Sequence, residues 1–197
     1  MQACRLSATD LACRRGDRVL FTGLSLDLPA GSALHVAGAN GLGKSSLIRI
    51  VAGLLRPMSG IVESQGTMGL LDERPALDQH QPLGQALAFW QRLDGPADER
   101  LSQLGPKGLG LADLLDVPVR YLSTGQKKRA ALARLAAAQA PIWLLDEPLN
   151  GLDSHAVTMV QHMVSSHCGA GGIAVIASHQ PIAVAGMAQL DLLDYVP

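Results

Sequence analysis

The sequence predicts an α/β domain with a mostly parallel sheet, an antiparallel edge element and a small inserted helical lobe. Three observations carry this. A glycine-rich stretch, residues 38–45, lies between a short apolar strand and a helix. The second half of the chain alternates strands with helices, the rhythm of a parallel sheet whose ligands bind at the carboxyl ends of its strands. The segment Cys4 to Leu28 instead alternates apolar and polar residues in two runs, as a half-solvated antiparallel pair does.

In order, the two runs are Leu6 to Leu11 and Leu24 to Leu28, separated by the polar turn Arg14-Arg15-Gly16-Asp17-Arg18. Pro29-Ala30-Gly31 turns the chain into a strand over Ser32 to Ala37. A helix is predicted from Lys44, with Leu47, Ile50, Val51 and Leu54 on one face and Gly53 and Pro57 marking its end. Ser59 to Glu63 and Thr67 to Leu71 read as short strands. Beyond them Pro75, Pro82, Pro96, Pro106 and Pro118 punctuate helical pieces such as Leu83 to Leu93, giving an inserted lobe over about residues 74–140. A helix from about Thr124 to Gln139 closes it. A buried strand Ile142 to Leu145, a helix near His155 to Ser166 and a strand Ile173 to Ala177 follow, with a short helix and a last strand around Leu190 to Val196. Residues 1–197 read as one domain.

Composition narrows the function classes. The net charge is −1 and charged residues are 17% of the chain, so no basic face points to nucleic acid. Mean hydropathy is +0.20, yet no apolar run approaches the roughly 20 residues of a bilayer-spanning helix. The N-terminus lacks the apolar core of a signal peptide. A cytoplasmic protein leaning on an apolar partner fits both features. Cys4, Cys13 and Cys168 form no C-x-x-C pair and read as free buried thiols. His155 and His162 lie seven apart without a third ligand, so they read as surface or satisfied histidines.

The chemistry concentrates in four places. Gly38-Ala39-Asn40-Gly41-Leu42-Gly43-Lys44-Ser45 fits the phosphate-binding pattern G-x-x-x-x-G-K-[ST] in its required strand-to-helix context. Its glycines let backbone N–H groups, continuing into Ser46, close on phosphate oxygens at a helix N-terminus. Lys44 would reach the β- and γ-phosphates and the Ser45 hydroxyl would bind Mg²⁺. The apolar strand Ile142 to Leu145 ends in Asp146-Glu147-Pro148; Asp146 suits the Mg²⁺ shell and Glu147 is placed to polarise an attacking water. Ser123 and Gln126 form a capping box around Thr124-Gly125, but Lys127-Lys128-Arg129 in the following turn oppose the helix dipole. A bound polyphosphate or a nearby acidic surface would offset that cost. His179, just past the strand Ile173 to Ala177, could sense a γ-phosphate or be structural.

Taken in order, the phosphate loop (Gly38 to Ser45), the signature (Leu122 to Gln126), the acidic strand end (Ile142 to Glu147), the loop Leu149-Asn150-Gly151-Leu152-Asp153 and His179 resemble ABC-transporter ATPases over nearly the whole chain. The resemblance implies a P-loop NTPase fold of the ABC type, ATP and Mg²⁺ as substrate and metal, and Lys44, Glu147 and His179 as catalytic groups. It also implies that Ser123, Gly125 and Gln126 meet nucleotide held by a second copy, in a dimer that closes on ATP binding. Integral-membrane subunits would be the other partners. Residues 14–21, 36–41, 133–135 and 141–148 more narrowly resemble the haem-exporter ATPases of cytochrome c maturation. That branch implies a peripheral subunit on the cytoplasmic face of the bacterial inner membrane, with haem handled by its partners. An export motor for another substrate is the alternative. A soluble ABC ATPase would carry two cassettes or a long coiled coil, and neither is present.

Three positions depart from the family pattern. Thr124 replaces the first glycine of the signature. Arg15 falls where the family stacks an aromatic on adenine; a guanidinium can stack on a base, with solvent exposure the alternative. Glu73 aligns with the glutamine that usually touches Mg²⁺, Gln79 and Gln81 being the rival candidates. Phe89 and Trp90 either pack the helical lobe or line a groove for a membrane-subunit helix.

Overall fold

The computed structural model describes residues 4–73, 76–94 and 108–197. Strands β1 (Arg5–Arg15) and β2 (Arg18–Pro29) form an antiparallel hairpin, and β4 (Ser59–Gln65) pairs on the other side of β1, giving a three-stranded sheet β2-β1-β4. The five-stranded sheet is parallel, in the order β5-β6-β7-β3-β8, from β3 (Ala33–Ala37), β5 (Met68–Leu71), β6 (Ile142–Asp146), β7 (Ile173–Ala177) and β8 (Ala188–Asp191). Among the described residues the α-helices are α1 (Lys44–Val51), α2 (Leu83–Asp94), α3 (Thr124–Ala137) and α4 (Ser154–Gly169). The polar turn of the hairpin narrows to Gly16-Asp17.

The side-chain period of a strand decides which core each residue joins. On β6, Ile142 and Leu144 face one way and pack with Phe21, Leu24, Leu47 and Val175, uniting the antiparallel sheet, α1 and one face of the parallel sheet. Trp143 and Leu145 face the other way and join Leu83, Leu111, Leu132, Met163 and Ile176. With both faces covered, all five residues of β6 are buried, as the apolar run foretold. The three cysteines are buried free thiols, and His155 and His162 are exposed.

The predicted strands Ser59 to Glu63 and Thr67 to Leu71 both form, as Ser59–Gln65 and Met68–Leu71, and belong to different sheets. Other expectations need correcting. Helix α1 ends at Val51, so Leu54 lies outside it and is 67% exposed, while Leu47, Ile50 and Val51 are buried. At the C-terminus the order is reversed. The last strand, β8, comes first and a short 3-10 turn (Leu192–Tyr195) follows, because pairing of Leu34–Ala37 with residues 188–191 completes the sheet edge. No helix lies between β7 and β8. Of the predicted lobe, residues 74–75 and 95–107, with Pro75, Pro96 and Pro106, lie outside the described residues. Elsewhere in it, the segments around Pro82 and Pro118 bridge, with Leu83 N donating to Val117 O and Val119 N to Gln81 O. Trp90 packs against the core, its Nε1 donating to the Ala76 carbonyl at 2.6 Å and the Arg134 guanidinium 3.6 Å above its ring. Its neighbour Phe89 is exposed.

Candidate functional site

The strand-to-helix turn between β3 and α1 folds as its glycines require. Gly43 caps α1 at φ 111°, a backbone that side-chain-bearing residues rarely adopt. Lys44, buried, donates through Nζ to the Gly38 carbonyl (2.8 Å) and the Ala39 carbonyl (3.2 Å) and lies 3.5 Å from Glu147 Oε1. One residue on, Ser45 Oγ donates to Asp146 Oδ1 at 2.9 Å. The phosphate loop and the end of β6, a hundred residues apart in sequence, are thus joined by two side-chain contacts.

Asp146 is buried, and this burial raises its carboxyl pKa, opposed by the Ser45 hydrogen bond. Glu147 has φ 46°, left-handed backbone for a residue with a β-carbon, at a cost of order 1–3 kcal/mol. Its peptide is pinned on both sides: its N–H donates to Ala177 O (2.8 Å), and its carbonyl accepts from Lys128 Nζ (3.1 Å). The carboxylate is then split between two cationic or donor groups, Oε1 towards Lys44 and Oε2 accepting from His179 Nδ1 at 3.0 Å. Lys44, Glu147 and His179 therefore meet as one constellation.

These groups open onto a cleft of about 330 Å³ bordered by Leu20, Asn40, Gly41, Gly43, Lys44, Ser45, Ser46, Glu73, Glu147, Asn150 and His179. Glu73 lies on its wall. Gln79 and Gln81 do not border it; their carbonyls accept from Arg120 N and Val119 N instead. Arg15, at the exposed end of β1, also lies off the cleft wall. Ser123, Gly125 and Gln126 sit elsewhere. Ser123 and Gln126 form the expected reciprocal cap of α3, and Ser123, Thr124 and Gly125 border a separate cleft of about 410 Å³ with Gly151, Leu152 and Asp153. Gly125 is glycine for close approach: a β-carbon there would lie 2.7 Å from the Gly151 carbonyl.

The cations after the signature find partners within the chain. Lys127 Nζ donates to Arg120 O, Arg129 to Leu109 O and Lys128 to Glu147 O. Burial lowers the Lys128 pKa, against the opposing pull of Asp146, Glu73, Asp72 and Glu147. All three cations thus meet backbone carbonyls, and Lys128 lies in addition within the field of these carboxylates. Leu20 and Asn150 line the cleft without having been assigned there; Asn150 carried a signal in its place within the loop after Glu147, whereas Leu20 looked like any apolar strand residue.

A part-buried hydroxyl–carboxylate pair, a lysine on the glycine loop and a Glu–His pair define a nucleotide hydrolase of the phosphate-loop class. The chain belongs to the ABC transporter family, whose pattern matches residues 21–150, and is an ATP-hydrolysing member of it. It is 59% identical, over the whole length of both chains, to the cytochrome c biogenesis ATP-binding export protein CcmA of Novosphingobium aromaticivorans. It is 48% identical to that of Zymomonas mobilis over 98% of this chain and 86% of the other. Among solved structures, a metal-chelate type ABC transporter in an inward-facing conformation matches with a TM-score of 0.78 and 25% identity over 96% of this chain and 80% of the other. A Pyrococcus furiosus ABC ATP-binding protein shares the fold with a TM-score of 0.84 at 20% identity, covering 98% of this chain and all of the other. The ABC ATPase fold and the narrower resemblance read from residues 14–21, 36–41, 133–135 and 141–148 are both borne out.

Proposed function

We propose that this chain is the ATP-hydrolysing motor of a membrane ABC transporter complex serving the haem step of c-type cytochrome biogenesis. The observation that carries the reading is full-length similarity to cytochrome c biogenesis export proteins, joined to a site in which Lys44, Glu147 and His179 converge. Residues 1–197 act as one ATPase domain with the helical lobe over about 74–140. Among the described residues no helix is long and apolar enough to cross a membrane. The chain is assigned to the cytoplasmic face of the bacterial inner membrane as a peripheral subunit, with haem handled by its integral-membrane partners.

The residues present fit Mg²⁺. Ser45 Oγ and buried Asp146 Oδ1, already 2.9 Å apart, form a hard-oxygen pair beside the phosphate loop, with Glu73 on the same cleft wall. The metal would supply charge neutralisation of the β- and γ-phosphate oxygens. The chain's own residues do the rest. Amides of residues 38–46 cradle the phosphates, Lys44 leaves the loop carbonyls for the β/γ-phosphates, and Glu147 accepts a proton from the attacking water. His179 holds the Glu147 carboxylate in place and faces the γ-phosphate. Ser123, Gly125 and Gln126 serve the nucleotide of a second copy, a reading supported by Ser123 and Gly125 lining a cleft apart from the phosphate loop and by Gln126 capping the same helix. Arg15 flanks the base.

Glu147→Gln tests the reading. Turnover should fall at least about 100-fold, within the range of a lost general base, while ATP binding persists and the mutant accumulates as an ATP-bound dimer. Expressed with its membrane subunits, the variant should fail to support c-type cytochrome formation. Wild-type hydrolysis would remove the catalytic assignment; normal cytochrome formation by a hydrolysis-dead variant would remove the haem role.

A further inference from the structure

His35 is a buried histidine in the middle of β3, on a strand whose other side chains are all apolar. Leu34 and Val36 point to the core around α1, while His35 lies on the opposite face, paired in register with Ile176 of β7 and Gln189 of β8. Its Nε2 lies 3.0 Å from the Ser178 carbonyl oxygen. A carbonyl only accepts, so Nε2 carries the proton and donates.

Ser178 is the residue before His179, and its other polar groups are also engaged. Its N–H donates to Val36 O at 3.2 Å, continuing the β3–β7 ladder one residue beyond the strand. Its Oγ accepts from Gln180 N at 2.9 Å. The Ser178 carbonyl and the His179 N–H share one rigid peptide plane. Holding that carbonyl therefore fixes the rotation of the peptide that launches His179 towards Glu147, 3.0 Å from its Nδ1. His35 and His179 also border a common cavity of about 380 Å³, with Pro181, Ile182 and Met187, so the loop after β7 has room to turn if it is not held.

We infer that His35 is a positioning residue for hydrolysis: its imidazole, anchored in the strand that carries the phosphate loop, locks the peptide plane before His179 and so sets the His179–Glu147 contact. This rests on the catalytic reading of His179 given above. It adds a second tie, through a side chain, between the phosphate-loop strand and the γ-phosphate-facing loop.

The test uses the full chain and two substitutions. His35→Leu keeps an apolar side chain in the pocket but removes the donor; His35→Gln keeps an amide donor. His35→Leu should lower kcat about tenfold, as expected for loss of a single positioning hydrogen bond, with KM for ATP and nucleotide affinity within about twofold. The imidazole NMR resonances of His179 should shift, and His35→Gln should restore both kcat and those resonances. If His35→Leu does not fold, His35→Ala carries the same comparison. Wild-type kcat without the donor, unmoved His179 resonances, or a loss that His35→Gln fails to repair would each overturn the inference. His179→Ala run alongside separates the two claims: wild-type turnover in that variant removes the role of His179 itself, whereas a large loss there with an unaffected His35→Leu removes only the role of His35.

Discussion

Glu147 is held in left-handed backbone by an Ala177 carbonyl on one side and a Lys128 ammonium on the other. Such a conformation persists only where the surroundings over-determine it, and here they aim the carboxylate between Lys44 and His179. At Glu73 the question is one of charge. A carboxylate on the cleft wall repels a triphosphate unless it meets the metal, and Mg²⁺ takes carboxylate oxygen readily. Glu73→Gln should therefore shift the Mg²⁺ dependence of hydrolysis several-fold while leaving metal-free nucleotide binding little weakened. Titration of turnover against Mg²⁺ decides this, and a wild-type curve would make Glu73 a solvated surface acid. The residues that sequence reading found most easily were those whose chemistry has few other uses: Lys44 and Ser45 after a glycine loop, and Asp146-Glu147 after an apolar strand. His35 and Leu20 were hidden because a lone histidine or leucine in a strand looks like core. Their work depends on a neighbour, Ser178 or Gly43, that only the fold supplies.

At the scale of elements, the join between β1 and β4 is close enough at one point to require a glycine. Register slips between Thr9 and Ala12, and Gly60 faces that irregularity with φ 90°. A β-carbon at Gly60 would lie 2.5 Å from the carbonyl oxygens of both Thr9 and Asp10. Gly171 has nearly the same φ, 89°, but open space around it. Gly60→Ala should thus cost more than about 3 kcal/mol, against about 1 kcal/mol for Gly171→Ala, where only the left-handed backbone is strained. Chemical denaturation of the two variants measures the difference, and equal costs would mean that the bulge relaxes. Element type was legible where an unbroken apolar run or a capping box marked it, as in β6, β7 and α3. Sheet membership was not: residues 59–65 and 68–71 read alike, and only pairing with β1 or β6 separates them. The C-terminal reversal has the same origin, since β8 is a half-exposed edge whose four residues carry little pattern of their own.

For the molecule as a whole, His167 supplies one definite contribution to acid stability. Its ring stacks on Trp143 at 3.9 Å, and its Nε2 donates to the Ile173 carbonyl at 3.2 Å. Burial lowers its pKa from 6.5 to about 4, opposed by backbone hydrogen bonds. The unfolded chain therefore takes up a proton that the folded chain refuses. The resulting stability is fully present above pH 6.5 and is lost as pH falls towards about 4, by about 3 kcal/mol in all. His167→Phe, which keeps a ring against Trp143, should flatten the unfolding midpoint between pH 7 and pH 5; an unchanged acid slope would place the lost proton elsewhere. Architecture at this scale was the most legible level, because a parallel sheet follows from the strand–helix rhythm alone.

The chain has two tryptophans, and the fold puts them in unlike optical surroundings. Trp143 lies flat against an imidazole in the sealed interior beneath the central sheet. Trp90 lies under a guanidinium, its indole N–H bound to the Ala76 carbonyl, three residues beyond Glu73 on the cleft wall. Emission from the first reports on the integrity of the core. Emission from the second reports on the segment that follows the nucleotide cleft. The protein thus carries, without any label, separate fluorescent gauges for unfolding of its core and for changes around α2.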